Sequence, residues 1–222
     1  DALSVFHVLR KLRHKGYSHQ RIMKSKLPKV EDAGYNAIFI RANSHLKHMA
    51  KTLGLDLPQS LAADIKHTEE VYNDLWDEAA SQYFSFNINT GEKILIPSIA
   101  TFLALYSGKI SKDHAAKLVE HLNNHQTYAA KFPVPSVPQN STWFAAHRYW
   151  QGPTWINTNW LIADGLDRYD YKEEAAKIRE SSLQLVERSG FYEYFSPNDG
   201  SPAGAKNFSW TAALTIDFLN RK

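Results

Sequence analysis

Helical periodicity that recurs in successive segments is the feature that most restricts the fold of this chain. Apolar residues fall at spacings of three and four over residues 35–53, and again from Pro58 to Trp76, with Gly54 as a predicted helix cap between them. Further helices are predicted over residues 98–107, 111–123, 153–169, 172–188 and 209–219. Short connections favour antiparallel helix pairs. The pattern therefore predicts an all-α, (α/α) toroid, in which paired helices circle an axis and loops at one end form the binding site.

Two stretches interrupt this helical pattern. Residues 83–96 lose the helical period, and their short apolar runs on either side of Asn89-Thr90-Gly91 predict a small β-hairpin. Residues 126–152 contain three closely spaced prolines and are predicted to be mostly loop. In addition, Pro153 is predicted to occupy an early helical position, where its missing N–H costs nothing.

The first part of the chain is strongly basic. Before Glu31, the first acidic residue after Asp1, come Arg10, Lys11, Arg13, Lys15, Arg21, Lys24, Lys26 and Lys29. These charges fit a nucleic-acid patch, a solvated helix face, or a surface that meets another segment. No aromatic residues are interleaved with them as in a stacking platform, so no nucleic-acid partner is predicted. Residues 1–34 are expected to pack apart from the rest or to be exchanged between molecules.

Aromatic residues and amides are concentrated near the end of the chain. Four of the six tryptophans lie within 149–160 and 208–213, and Glu193 stands between two tyrosines. Aromatic faces with a few polar groups suit a sugar, whose C–H face stacks on a ring while its hydroxyls form hydrogen bonds. A carboxylate in such surroundings is a candidate catalytic base.

Three motifs here resemble the C-terminal part of glycoside hydrolase family 63, which includes processing α-glucosidases and mannosylglycerate hydrolases. They are Tyr149 to Trp160, Glu193 to Gly200 and Phe208 to Ala213, in the order and spacing of the family. The resemblance implies a six-pair (α/α)6 barrel, of which residues 1–222 are the incomplete C-terminal part. The predicted helices are fewer than six pairs require.

The family chemistry is hydrolysis of an α-glycosidic bond with inversion, and its base falls on Glu193. The family's general acid is an Asp in a Ser-Gly-Trp-Asp-type motif that lies upstream of the region matched here, so the isolated chain is expected to hold half of the catalytic pair. Asp77 follows Trp76 but aligns with a different family segment and receives no acid role. The implied substrate is an α-linked glucoside, with an α-mannoside such as mannosylglycerate as the alternative.

The predicted substrate-binding residues are Trp150, Gln151, Trp155, Asn157, Asn159, Tyr194, Trp210 and Arg41. The tryptophans, the asparagines and Arg41 have structural alternatives: the tryptophans fill a core, the asparagines cap or cross-link helices, and Arg41 braces a buried amide. Gln151 stands where the family usually has arginine. A catalytically inactive, carbohydrate-binding toroid is the alternative for the whole chain.

Other classes of function find little support in the sequence. No cysteine is present, and no serine-nucleophile or nucleotide-binding glycine motif occurs. His45 with His48, and His121 with His125, have helical spacing but lack a neighbouring glutamate, so no metal or other cofactor is predicted. No apolar run is long enough to span a membrane, and the compartment stays open. An incomplete ring exposes apolar helix faces, so a homo-oligomer or association with the missing N-terminal part is expected.

Overall fold

The computed structural model describes residues 2–221, which form nine α-helices, seven short strands and a 3-10 turn at Tyr72–Leu75. The helices are α1 (Ala2–His14), α2 (His19–Met23), α3 (Ala33–Thr52), α4 (Gln59–Val71), α5 (Ala100–Ser107), α6 (Lys112–Leu122), α7 (Ile156–Arg168), α8 (Lys172–Ser189) and α9 (Ser209–Asn220). The strands are β1 (Val30–Glu31), β2 (Trp76–Asp77), β3 (Gln82–Tyr83), β4 (Phe86–Asn87), β5 (Glu92–Lys93), β6 (Tyr192–Phe195) and β7 (Pro202–Lys206). The protein is thus mostly helical, with small strands added to the predicted all-α pattern.

Every second helix from α3 onward belongs to one row. Helix α3 packs on α5, α5 on α7, and α7 on α9, whereas α4, α6 and α8 contact α3, α5 and α7 respectively. Helix α5 lies in the middle of the row and is apolar on all sides, as a helix surrounded by protein must be. Its buried residues include Phe102 and Leu105, both with no exposed surface. The alternation predicted from the sequence therefore becomes a row of four helices backed by three others.

Local sequence explains where these helices begin and end. The Asp32 carboxylate accepts the Tyr35 backbone N–H at 2.8 Å and caps α3, and the Ser111 hydroxyl caps α6 in the same way. Gly108 ends α5 in the left-handed region, at φ +68°, where a residue without a Cβ is favoured. These signals are readable in the sequence, and the helices predicted over 35–53, 98–107, 111–123, 172–188 and 209–219 are all found to within a few residues.

The predicted hairpin exists with a different set of partners. Strands β4 and β5 pair antiparallel around the expected turn, and β1 joins β4 to make a three-stranded sheet. Tyr83 instead pairs with Trp76, which the helical pattern had assigned to α4. That assignment is wrong because the helix ends at Val71 and the chain turns through residues 72–75, placing the Trp76 ring against His114 at 3.8 Å.

The predicted start of α7 at Pro153 is also wrong. Residues 126–152 are loop as expected, but the chain stays extended until Trp155, and α7 begins at Ile156. The reason is Thr154, whose backbone N–H and C=O both bond to Phe195, at 2.8 and 2.9 Å. A residue whose backbone groups pair with a distant strand cannot enter a helix at the same time.

The N-terminal segment is the most exposed part of the described chain. In α1 the apolar side chains of Phe6 and Leu9 are 68% and 51% exposed. The end of the segment is tied to the rest of the protein, since β1 pairs with β4 and Ala33 lies in the core. Independent packing or exchange of residues 1–34 stays a prediction, and Asp1 lies outside the described residues.

Two helices at the ends of the row also present apolar side chains to solvent. On α3, Tyr35, Phe39 and Met49 are exposed, and on α9 Ile216 and Leu219 are exposed. Faces of this kind are unusual in stable monomers. Within residues 2–221, no helix combines the length and apolar character needed to cross a bilayer.

A charged network joins the end of α7 to the end of α9. Asp164 accepts hydrogen bonds from Arg168 at 2.8 Å and from Arg221 at 2.9 Å. Arg221 also bonds to Asp217 at 2.5 Å and stacks over the Trp160 ring at 4.7 Å. Burial of the Asp164 carboxyl opposes its ionisation, but the bonds from Arg221 and Arg168 outweigh this effect, and its pKa lies below the ordinary value.

This network should make the protein less stable in acid. Because the folded pKa of Asp164 is depressed, its contribution is complete above the unfolded pKa of about 4 and is lost as the pH falls through the folded pKa. We expect Asp164→Asn to lower the free energy of unfolding at pH 7 by about 2 kcal/mol and to make this free energy depend less on pH in acid.

Urea unfolding at pH 7 and pH 3 measures both effects. The matched control is Asp113→Asn, since Asp113 is 71% exposed and should change stability by under about 0.5 kcal/mol. Equal losses in the two variants would contradict the prediction.

Candidate functional site

Thr154 brings the two aromatic motifs of the sequence together. It forms an isolated antiparallel bridge with Phe195 on one side and with Pro135 on the other. Its hydroxyl also donates to the Phe132 carbonyl at 2.7 Å, with no surface exposed. The Trp-rich segment before α7 is thereby joined to the strand that carries Glu193, although Thr154 and Phe195 are 41 positions apart in sequence.

Five aromatic rings, which we call the aromatic cluster, meet around Trp155: those of Tyr149, Trp150, Trp155, Tyr194 and Trp210. The Trp150 ring stacks on the Trp155 ring at 3.9 Å and 6°. Tyr194 packs against the same ring at 4.8 Å. Trp155 is fully buried, whereas Trp150 and Trp210 are 39% and 36% exposed. Trp155 therefore supports the cluster from within, and the two other tryptophans present ring surface to solvent.

Glu193 lies on β6, directly before Tyr194. Its Oε2 atom accepts the Ala205 backbone N–H of β7 at 3.0 Å, and the side chain is half-buried. Within residues 2–221 no ion pair reaches this carboxylate. It is held by a neutral amide at one oxygen, on the strand whose next residue belongs to the aromatic cluster.

A cavity of about 510 Å³ opens beside the aromatic cluster. Trp150 and Trp210 form part of its wall, together with Asp32, Tyr35, Ser136 and Asn157. The volume is in the range of small-molecule sites. Glu193 does not line this cavity. The aromatic cluster connects the two, because Tyr194 next to Glu193 packs on Trp155, and Trp155 stacks on Trp150 in the cavity wall.

The two predicted asparagines lie in different surroundings. Asn157 lines the cavity, and its Oδ1 atom is buried without a hydrogen-bond partner in the described chain. Asn159 is fully buried: its amide accepts from Val134 N–H and donates to the Pro133 carbonyl and the Ser182 hydroxyl. Asn159 thus makes the contacts of the structural alternative, fastening the loop to α7 and α8, and it has no exposed surface for a sugar.

Arg41 and Gln151 are placed outside the cavity wall. The Arg41 guanidinium lies 6.0 Å from the Tyr106 ring centre, and its Nε atom is buried without a partner in the described residues. The Gln151 carbonyl accepts the Ala145 N–H at 2.6 Å, which closes the short loop that presents Tyr149 and Trp150. Both residues lie close to the site, but neither of them lines the cavity.

Two residues of the site were not anticipated from the sequence. Asp32 lines the cavity while its oxygens accept from Tyr35 N–H and, at 3.2 Å, from the Ser85 hydroxyl. An aspartate before an apolar helical pattern signals a helix cap, but nothing in that signal says that the cap faces a cavity. Gly204 faces the Glu193 side chain across the hairpin, and a lone glycine in a strand was the only available sign.

The turn between β6 and β7 is held by Asp199. Its carboxylate accepts from the Ser201 backbone N–H at 3.0 Å and from the Ser201 hydroxyl at 2.7 Å. These hydrogen bonds keep the pKa of Asp199 well below its ordinary value. Over the part of the chain that the structure describes, no group of three acidic or histidine side chains is arranged to hold a metal ion.

Comparisons with known proteins find relatives that match most of this chain. A sequence model of the mannosylglycerate hydrolase MGH1-like glycoside hydrolase domain matches residues 4–211. The mannosylglycerate hydrolase of Thermus thermophilus is 36% identical over 214 residues, which are 96% of this chain and 50% of that protein. The glucosylglycerate hydrolase of Mycolicibacterium hassiacum is 25% identical over 91% of this chain and 47% of its own length.

A solved structure agrees with the sequence comparisons. The family 63 mannosylglycerate hydrolase of Thermus thermophilus, crystallised with Tris and D-glycerate, superimposes with a TM-score of 0.90 at 36% identity. The match covers 96% of this chain and 51% of that one. The chain spans about half the length of the curated relatives it matches.

Proposed function

The chain belongs to the mannosylglycerate hydrolase MGH1-like domains of glycoside hydrolase family 63, and we propose that it supplies the catalytic base and part of the sugar site of an inverting α-glycosidase. In this proposal Glu193 is the base. Trp150, Trp210 and Asn157 contact the substrate, while Trp155, Tyr194 and Asn159 hold these groups in place. Arg41 and Gln151 act from outside the cavity wall.

The observation that carries the proposal is the continuity of the aromatic cluster from Glu193 to the cavity. Tyr194 follows Glu193 on β6 and packs on Trp155, which stacks on Trp150 in the cavity wall. A sugar stacked on Trp150 or Trp210 would therefore lie beside the strand that carries the carboxylate. The unpartnered Oδ1 atom of Asn157 offers an acceptor for a sugar hydroxyl, which would satisfy a buried polar group that otherwise costs free energy.

In the proposed mechanism Glu193 removes a proton from water as the water attacks the anomeric carbon. The glycosidic bond breaks on the opposite face, and a general acid protonates the leaving oxygen, so that the sugar is released with inverted configuration. The acid belongs to the family segment that precedes the region matched here. Carboxyl groups of inverting enzymes stand about 6.5–9.5 Å apart, which leaves room for the water.

The relatives favour a different substrate from the sequence motifs. The sequence motifs alone favoured an α-glucoside, but the relatives that cover most of this chain are named as mannosylglycerate hydrolases, and a more distant one as a glucosylglycerate hydrolase. We therefore propose a glycosylglycerate, with mannosylglycerate ahead of glucosylglycerate.

The proposal is tested by incubating the natural polypeptide that contains this chain with mannosylglycerate, glucosylglycerate, trehalose and a processing-type α-glucoside. We expect mannosylglycerate to give the highest kcat/KM, and proton NMR of the first-formed sugar to show inversion at the anomeric carbon. Retention of configuration would exclude the mechanism. Binding of these compounds without cleavage would favour the carbohydrate-binding alternative.

We further propose that the row α3–α5–α7–α9 is part of a closed (α/α)6 ring. The exposed apolar residues of α3 and α9 would then be covered by additional helix pairs. Burial of such faces stabilises by about 25 cal/mol per Å² of apolar surface. The chain on its own should accordingly self-associate, giving a mass above 25.3 kDa in light scattering at micromolar concentration. A monodisperse monomer would contradict this.

A further inference from the structure

The hairpin that carries Glu193 contains an irregularity directly opposite this residue. Tyr192 pairs with Lys206, and Tyr194 pairs with Ala203, so the single residue Glu193 faces both Gly204 and Ala205. This is a β-bulge, in which one strand has an extra residue and the regular ladder is interrupted. Bulges of this kind change the direction of a side chain or an amide at one position of a strand.

The bulge directs one backbone amide at the catalytic carboxylate. The Ala205 N–H donates to Glu193 Oε2 at 3.0 Å. Across residues 2–221, no side chain or backbone group donates to the second oxygen, Oε1. One oxygen of the carboxylate is thus held by the opposite strand, and the other is free to accept a proton from water.

Gly204 makes this contact possible because it has no Cβ atom. An added Cβ would lie 2.6 Å from Glu193 Oε2, 2.7 Å from Glu193 Cβ and 2.7 Å from the Cε1 atom of the Tyr194 ring. These distances are far below van der Waals contact, so both the carboxylate and the Tyr194 ring would have to leave their positions. Gly204 also has φ +73°, a left-handed conformation that glycine adopts without strain.

We infer that the bulge at Gly204 and Ala205 is a positioning device for the Glu193 carboxylate: it fixes Oε2 and leaves Oε1 for the attacking water. Neither residue is catalytic, since both act through Glu193. The inference rests on the proposed role of Glu193 as base and adds to it the reason why this carboxylate stays at one place on an otherwise half-exposed strand.

The test is Gly204→Ala, with kcat and KM measured on mannosylglycerate in the natural polypeptide that contains this chain. A displacement of the base by about 1 Å costs about 100-fold in rate, so we expect kcat to fall by that factor while KM changes less than about threefold. The matched control is Gly91→Ala in the β4–β5 turn. Gly91 has the same φ of +73° and no atom within 4 Å of an added Cβ. It therefore reproduces the backbone strain without touching the carboxylate, and its kcat should be unchanged.

A second measurement does not depend on activity. In nitrogen-15-labelled protein, the Ala205 amide proton should move upfield in Glu193→Ala, because its acceptor is lost, and should stay in place in Gly91→Ala. This result decides the question if Gly204→Ala fails to fold.

An unmoved Ala205 resonance, or a Gly204→Ala enzyme with the kcat of Gly91→Ala, overturns the inference. A KM that rises as much as kcat falls also overturns the inference, because the bulge would then act on substrate binding through the Tyr194 ring and not on the carboxylate. Full activity of Glu193→Gln would instead show that Glu193 is not the base. The Ala205 amide resonance would still report whether the hydrogen bond between Ala205 and Glu193 exists.

Discussion

Glu193→Gln should lower kcat by about 10²–10⁴-fold, the range that one general acid or base contributes. Glutamine has the same size, and its carbonyl oxygen still accepts the Ala205 N–H that now holds Oε2. The aromatic cluster and the cavity should therefore keep their shape, and KM should change little. What is lost is the ability to take a proton from water at the moment of attack.

The matched control is Glu187→Gln, which makes the same chemical change at an exposed position of α8. It should have the kcat of the unmodified protein. Azide offers a second check in Glu193→Ala, because it is already anionic and needs no base. We expect azide to restore part of the turnover and to yield a glycosyl azide with inverted configuration. A Glu193→Gln enzyme with more than about a tenth of the original kcat would be incompatible with a general base at this position.

Gly165→Ala should produce the largest loss of stability among single methyl additions to the helix row. Gly165 is buried in α7, where an added Cβ would lie 2.7 Å from the carbonyl carbon of Leu105 and 2.7 Å from the backbone nitrogen of Tyr106. Both atoms belong to the backbone of α5 and cannot rotate away. Alanine favours a helix over glycine by about 1 kcal/mol, so a gain would be expected if space were free.

Because α5 has to move as a unit, we expect a net loss of about 3 kcal/mol in the free energy of unfolding, at the upper end of overpacking costs. Urea unfolding followed by circular dichroism measures it. Gly34→Ala is the matched control: it makes the same change on α3 of the same row, but its nearest contact, at 3.0 Å, is the terminal methyl of Leu103, a side-chain atom that can turn aside. The control should lose less than about 1 kcal/mol. Similar midpoints for the two variants would show that the α5–α7 distance adapts to the extra methyl.

Much of the fold was predictable because its determinants are local. Apolar spacing of three and four depends only on neighbouring residues, and so do caps such as Asp32 and the left-handed Gly108. The three motifs at 149–160, 193–200 and 208–213 carried the family in their order and spacing, which the family comparison bears out. The role of Glu193 stays a prediction until its variants are assayed.

The remaining features depend on which distant residues meet. The sequence predicts that Thr154 lies at the start of a helix, but its backbone pairs with Phe195. It also predicts that Trp76 belongs to α4, but Trp76 pairs with Tyr83. A strand pairing is decided by the partner strand, and the periodicity of one segment contains no information about that partner.

The sequence by itself therefore determined most of the helices, the family and the residue types of the proposed sugar site, since each follows from patterns within short stretches of chain. Only the tertiary structure decided which side chains reach the cavity: Asn157 does, Asn159 two residues later does not, and Asp32, the residue that caps α3, does. It also decided that a bulge aims the Ala205 amide at Glu193. The physical reason is that helix direction and strand register are set by packing over the whole chain, and these two quantities fix where each side chain points.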